Sequence, residues 1–146
     1  MNYDVIFTNG CFDILHDGHL ELLSTAKQLG YKLVVGLNSD ESVKKLKGPD
    51  RPYNNQQIRK KNLEEIVHVD EVIIFDEETP YELIKELQPG LIVKGGDYLP
   101  DDVVGKDIAP VYIMPLVGEH STTKIIEEMH KKSSFWKKNK IDVRTK

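Results

Sequence analysis

Five short, almost unbroken apolar runs dominate this 146-residue chain, and each is followed by a stretch with helical spacing. They are Val5-Ile6-Phe7-Thr8, Leu33-Val34-Val35-Gly36-Leu37, Val72-Ile73-Ile74-Phe75, Leu91-Ile92-Val93 and Val111-Tyr112-Ile113-Met114. Strands that are apolar on both faces need cover on both faces. The pattern therefore predicts an α/β fold, a Rossmann-like five-stranded parallel sheet with helices on both sides. In such sheets ligands bind beyond the carboxyl ends of the strands, where strand order reverses. The segments to watch are Thr8 to His19, Asn38 to Asp40, Lys94 to Tyr98 and Pro115 to Thr123.

Between the runs, Asp17-Gly18 opens an amphipathic helix with Leu22, Leu23, Ala26 and Leu29 on one face, stopped at Gly30. Lys44 to Asn55, with its Gly, Pro and basic residues, reads as a loop. A helix then turns Ile58, Leu63, Ile66 and Val67 inward. Thr79-Pro80-Tyr81-Glu82 reads as a capping box with proline at the first helical position, ahead of Leu83, Ile84 and Leu87. Ser121-Thr122-Thr123 starts a last helix with Ile125, Ile126 and Met129 inward.

Composition narrows the class. No apolar run approaches the ~18 residues of a membrane span, and Met1-Asn2-Tyr3-Asp4 lacks the basic start of a secretory signal. A single cysteine, Cys11, excludes an internal disulfide and suits a reducing cytoplasm. The net charge of -4 hides an asymmetry. Lys131, Lys132, Lys137, Lys138, Lys140, Arg144 and Lys146 face one acid, Asp142, so the body is strongly acidic and a poor partner for nucleic acid. We divide the chain into a domain over 1–132 and a basic tail over 133–146.

The densest chemical signal is Thr8-Asn9-Gly10-Cys11-Phe12-Asp13-Ile14-Leu15-His16-Asp17-Gly18-His19. It runs from the end of a strand into the first turn of a helix, where free N–H groups and the helix dipole attract phosphate. His16 and His19 are spaced to turn both rings to one side, and Gly18 lets a ligand approach the backbone. Two imidazoles there suit hydrogen bonding to nucleotide oxygens and neutralisation of transition-state charge. No further His, Cys or acidic cluster has metal-ligand spacing, so no protein-held metal is expected.

This segment resembles the GxFDxxHxGH signature of the HxGH nucleotidyltransferases, and Ser121-Thr122-Thr123 resembles that superfamily's S-[ST]-T element. Within the superfamily, the chain is similar to the heptose 1-phosphate adenylyltransferase domain of ADP-heptose synthases. That similarity is carried by Leu46-Lys47-Gly48-Pro49-Asp50-Arg51-Pro52 and Val93-Lys94-Gly95-Gly96-Asp97-Tyr98. It implies transfer of a nucleoside monophosphate from an NTP, foremost ATP, to a sugar 1-phosphate, foremost a heptose 1-phosphate, with release of pyrophosphate. Mg2+ is expected with the triphosphate.

The resemblance assigns His16, His19, Lys47 and Arg59 to catalysis, with Lys47, Arg51 and Arg59 as mobile cations closing over phosphate. It assigns Thr8, Asn9, Gly10, Phe12, Gly18, Lys94, Gly95, Gly96, Asp97, Ser121, Thr122 and Thr123 to the nucleotide. Asp13, Asp40, Lys44 and Arg51 go to the acceptor, with Asp13 the one that orients its loop, and Cys11 goes to packing. A separate sugar kinase would supply the acceptor, and a homodimer is left open.

The stretch between Gly105 and Val111 is shorter than usual, and Val117-Gly118-Glu119-His120 departs from the usual order; both flank the expected base pocket. The alternative is therefore a cytidylyltransferase using CTP and glycerol 3-phosphate or another alcohol or sugar phosphate. A non-catalytic nucleotide sensor on the same fold is the contrasting class.

Overall fold

The computed structural model describes residues 3–115. Five parallel strands form one sheet in the order β3-β2-β1-β4-β5. They are β1 (Tyr3–Gly10), β2 (Gly30–Asn38), β3 (Glu71–Phe75), β4 (Leu91–Gly95) and β5 (Val111–Met114). Helices α1 (Asp17–Gln28), α2 (Asp40–Lys47), α3 (Gln56–Glu64) and α4 (Tyr81–Leu87) connect them. The chain steps outward from β1 to β2 and β3, then crosses back to lay β4 on the other side of β1. The reversal point lies between β1 and β4, as the α/β reading requires.

Alternation along the strands divides the core in two. Ile6, Leu33, Val35, Leu37, Leu91 and Val93 pack with Leu23 and Ala26 of α1 and Leu63 of α3. Phe7, Val34 and Ile92 point the other way, onto Ile84 of α4, Val103 and Ala109.

Several local expectations give way. The first part of Lys44 to Asn55 is not loop: α2 runs through Lys47. The Ser39 hydroxyl accepts the Ser42 N–H at 3.1 Å, Asp40 and Glu41 lie in the first turn, and Lys44, Lys45 and Lys47 in the last, so cap and dipole outweigh composition. Gly48 then ends the helix at φ 105°.

Before α4, Pro80 is the N-cap and makes no side-chain cap, so the expected Thr79 capping box does not form. Ile58 and Val67 are exposed rather than inward. The first helix does stop before Gly30, which opens β2 opposite Tyr3, where a Cβ would overlap the Tyr3 carbonyl oxygen. The helix expected from Ser121 and the basic tail lie outside the described residues.

Candidate active site

The carboxyl ends of β1, β2, β4 and β5 open into a cleft of about 900 Å³. Its floor is the stretch from Asn9 to His19. Phe12 holds φ 45°, a left-handed conformation a bulky residue adopts only when its surroundings enforce it. Its buried ring lies 3.0 Å from where a Cβ on Gly10 would sit and meets the His19 ring edge-on at 5.1 Å.

The two histidines cap α1 reciprocally. His16 is the N-cap, and its Nδ1 accepts the Gly18 N–H at 3.1 Å. His19 Nδ1 accepts the His16 N–H at 3.4 Å. An imidazole accepting at Nδ1 carries its proton on Nε2, so each ring has one donor left to offer. The rings stack at 3.8 Å with a 24° interplanar angle, and both line the cleft. Desolvation, then the neighbouring His16 and Lys47, pushes His19 down to about 4. Desolvation also lowers His16, with Asp17 opposing. Both rings are therefore neutral at pH 7 and donate as neutral imidazoles.

Asp13 is buried and accepts the backbone N–H groups of Tyr53 (2.7 Å) and Asn54 (2.8 Å), while Asn54 Nδ2 donates to its carbonyl. Burial raises its pKa, but those two amides and the charges of Arg59 and Arg51 outweigh it and hold the carboxylate low. This clamp fixes the loop over residues 48–55 against the floor. Arg51 stands on that loop in the cleft wall, 4.5 Å over the Tyr53 ring, with its Nε 3.7 Å from Asp13.

On the opposite wall, Lys94 Nζ donates to the Asn9 carbonyl (3.0 Å) and Asn9 Oδ1 (3.3 Å) and lies 4.5 Å over the Tyr98 ring. Desolvation lowers Lys94 to about 8, against the pull of Asp97 and Cys11. With Oδ1 held by Lys94, the Asn9 amide NH2 is free to donate into the cleft.

The wall thus gathers Asn9, Gly10, Phe12 and Gly18 from the floor, with Lys47, Gly95 and Asp97 around it. Five expected residues are elsewhere. Thr8 is fully buried in β1. Lys44 is exposed, 3.7 Å from Glu41, and Gly96 is not in the wall. Arg59 is no mobile cation: it is fully buried and bonded to Asp40 at 2.8 Å, so neither reaches the cleft. Ser121, Thr122 and Thr123 lie outside the described residues.

Tyr98, at the end of the expected Lys94 to Tyr98 segment, also lines the wall, as do Glu78 to Pro80, Asp102 to Val104 and Met114, which lie outside the expected segments. Applying the strand-end rule to β3 would have found Glu78 to Pro80. Cys11, assigned to packing, also lines the cleft.

This floor, strand end to histidine-capped helix, coincides with a family match: residues 7–140 match the cytidylyltransferase-like family. The chain belongs to the cytidylyltransferase-like family. Among curated proteins of this kind it is 56% identical over 126 residues to the bifunctional protein HldE of a Nitratiruptor species, covering 86% of this chain and 27% of that protein. It is 51% identical over 130 residues to the bifunctional protein HldE of Syntrophotalea carbinolica, covering 86% and 26%. The chain thus spans about a quarter of the length of these relatives. The cytidylyltransferase-like sheet also superposes on the crystal structure of the lipopolysaccharide core biosynthesis protein from Thermoplasma volcanium. There the TM-score is 0.64 at 27% identity, covering 82% of this chain and 100% of that one.

Proposed function

We propose that this chain is a nucleotidyltransferase that moves a nucleoside monophosphate from an NTP, foremost ATP, to a sugar 1-phosphate, foremost a heptose 1-phosphate, releasing pyrophosphate. The observation that carries this reading is the reciprocal cap of α1. It leaves two neutral imidazole Nε2–H donors beside a helix N-terminus in a cleft at the sheet's reversal point. The choice of ATP and heptose rests on the Leu46 to Pro52 and Lys94 to Tyr98 resemblance and on the high identity to HldE proteins.

The acceptor's phosphate oxygen attacks the α-phosphorus in line. A new P–O bond forms, the bond to the α–β bridging oxygen breaks, and pyrophosphate leaves with that electron pair. A phosphate monoester is largely dianionic at pH 7, so the nucleophile needs no base. The histidines, neutral and proton-bearing at Nε2, act as donors to the charged phosphoryl oxygens. Lys47 and Arg51 add positive charge from one wall, and Lys94 orders Asn9 on the other.

Among the described residues no three His, Cys, Asp or Glu side chains gather as a metal cage. The substrate would be Mg·NTP, whose ion would offset the charge of the triphosphate. A sugar kinase supplies the acceptor, and the reaction runs in the cytoplasm. Among the described residues no helix is long and apolar enough to cross a membrane.

The test is pyrophosphate release with Mg2+ from ATP, CTP, GTP and UTP against heptose 1-phosphates and glycerol 3-phosphate, with His16→Ala alongside. Turnover with ATP and a heptose 1-phosphate, lost in the variant, is the expected result. Turnover with CTP and glycerol 3-phosphate alone would overturn the substrate assignment. Nucleotide binding with no transfer to any acceptor would overturn the reaction.

A further inference from the structure

Arg59 is fully buried, and its guanidinium bonds four residues from three stretches of chain. Nε donates to the Asn54 carbonyl at 2.9 Å. Nη1 donates to the carbonyls of Cys11 (2.9 Å) and Asn38 (2.8 Å). Nη2 donates to Asp40 Oδ1 at 2.8 Å. A desolvated cation is held this way only when every partner is in place, and only the planar fork of arginine reaches four at once. Two partners, Cys11 and Asn38, are cleft-wall residues at the ends of adjacent strands. The third, Asn54, belongs to the loop that Asp13 clamps.

The Cys11–Phe12 peptide is trans, so its carbonyl and its N–H point in opposite directions. With the Cys11 oxygen on Arg59, the Phe12 N–H points away from the guanidinium, and Phe12 lines the cleft.

We infer that Arg59 is a positioning residue of the transfer reaction: it pins the Cys11 and Asn38 carbonyls so that the Phe12 N–H is presented to phosphoryl oxygen in the cleft. It touches no substrate. Its charge polarises the peptide whose far end does. The inference rests on the proposed reaction for its kinetic consequence, but not for the orientation of the Phe12 amide.

The chain has four phenylalanines, so selective 15N-Phe labelling makes Phe12 assignable. In the wild-type chain the Phe12 amide resonance shifts on addition of Mg2+ and inorganic pyrophosphate. In Arg59→Lys that shift is lost. Below the variant's melting temperature, kcat falls about a hundred-fold while KM for the NTP stays within about three-fold, as expected for a misplaced transition-state contact. A purely architectural role would lower the melting temperature and leave both readouts at wild-type values per folded molecule, which would overturn the inference. So would a wild-type Phe12 amide indifferent to pyrophosphate.

If Arg59→Lys does not fold, Asp40→Asn keeps the guanidinium but weakens its outermost tie. A smaller loss in both readouts is expected, and none would count against the proposal. If the wild-type chain transfers no nucleotide at all, the functional reading fails, and the Phe12 titration still decides the role of Arg59.

Discussion

His16 and His19 hold each other at the mouth of α1, each Nδ1 accepting a backbone N–H of the same turn, 3.1 Å from Gly18 and 3.4 Å from His16. One side chain thereby serves the helix with one nitrogen and the cleft with the other.

The two duties of His16 separate by substitution. Asparagine is as good an N-cap as any residue but has no Nε2–H at that reach. His16→Asn is expected to stay within about 0.5 kcal/mol of wild-type stability while kcat drops ~100-fold. His16→Ala should lose the same activity and about 1 kcal/mol of stability as well. Urea titrations beside steady-state rates decide the matter; wild-type turnover in His16→Asn would remove His16 from the reaction.

His19 sets a pH window for stability. Its pKa is pushed from 6.5 down to about 4 on folding. Between those values the unfolded chain binds a proton the native chain refuses, so stability is full above about 6.5 and falls as pH drops toward 4. Asp13, held below its ordinary 3.8, keeps its stabilisation throughout this window and loses it only at still lower pH. His19→Gln keeps an acceptor for the His16 N–H and should flatten the urea midpoint between pH 6.5 and 4. An unchanged slope in that variant would contradict the assignment.

Lys94 makes the opposite edge of the pH range informative. Its pKa of about 8 lies where assays are practicable. As it loses its proton it loses its charge-assisted hold on Asn9. KM for the NTP should therefore climb between pH 7.5 and 9. In Lys94→Met it should start about ten-fold higher and show no such climb, consistent with ~1.4 kcal/mol from a charge-assisted contact. Matching pH profiles for the two proteins would exclude this role.

Asp13 ties the loop over residues 48–55 to the floor. Asp13→Asn removes the charge from two partly buried hydrogen bonds and should cost about 2 kcal/mol in urea denaturation. Because Arg51 rides on that loop, KM for the acceptor should rise more than KM for the NTP. Equal changes in both would detach the loop from acceptor binding.

The sequence by itself determined the sheet, its parallel direction, the end at which the cleft opens and the residues of its floor. Unbroken apolar runs admit few arrangements, and a strand-to-helix junction rich in glycine and histidine has few uses. It also held more than was read from it. Arg59 and Leu63 lie at i and i+4 on one face of α3, and both are buried, whereas Ile58 falls outside that stripe and is exposed. Hydrophobicity favoured the isoleucine; periodicity favoured the arginine.

Only the tertiary structure decided what Arg59 does, because its partners, Cys11, Asn38, Asp40 and Asn54, come from separate places that packing alone brings together. The same holds for the clamp of Asp13 on Tyr53 and Asn54, forty and forty-one residues away, and for Lys94 reaching Asn9 across eighty-five. A local pattern records which way a side chain turns. Whether a charge then meets solvent, a ligand or a carbonyl depends on what the rest of the chain has placed there.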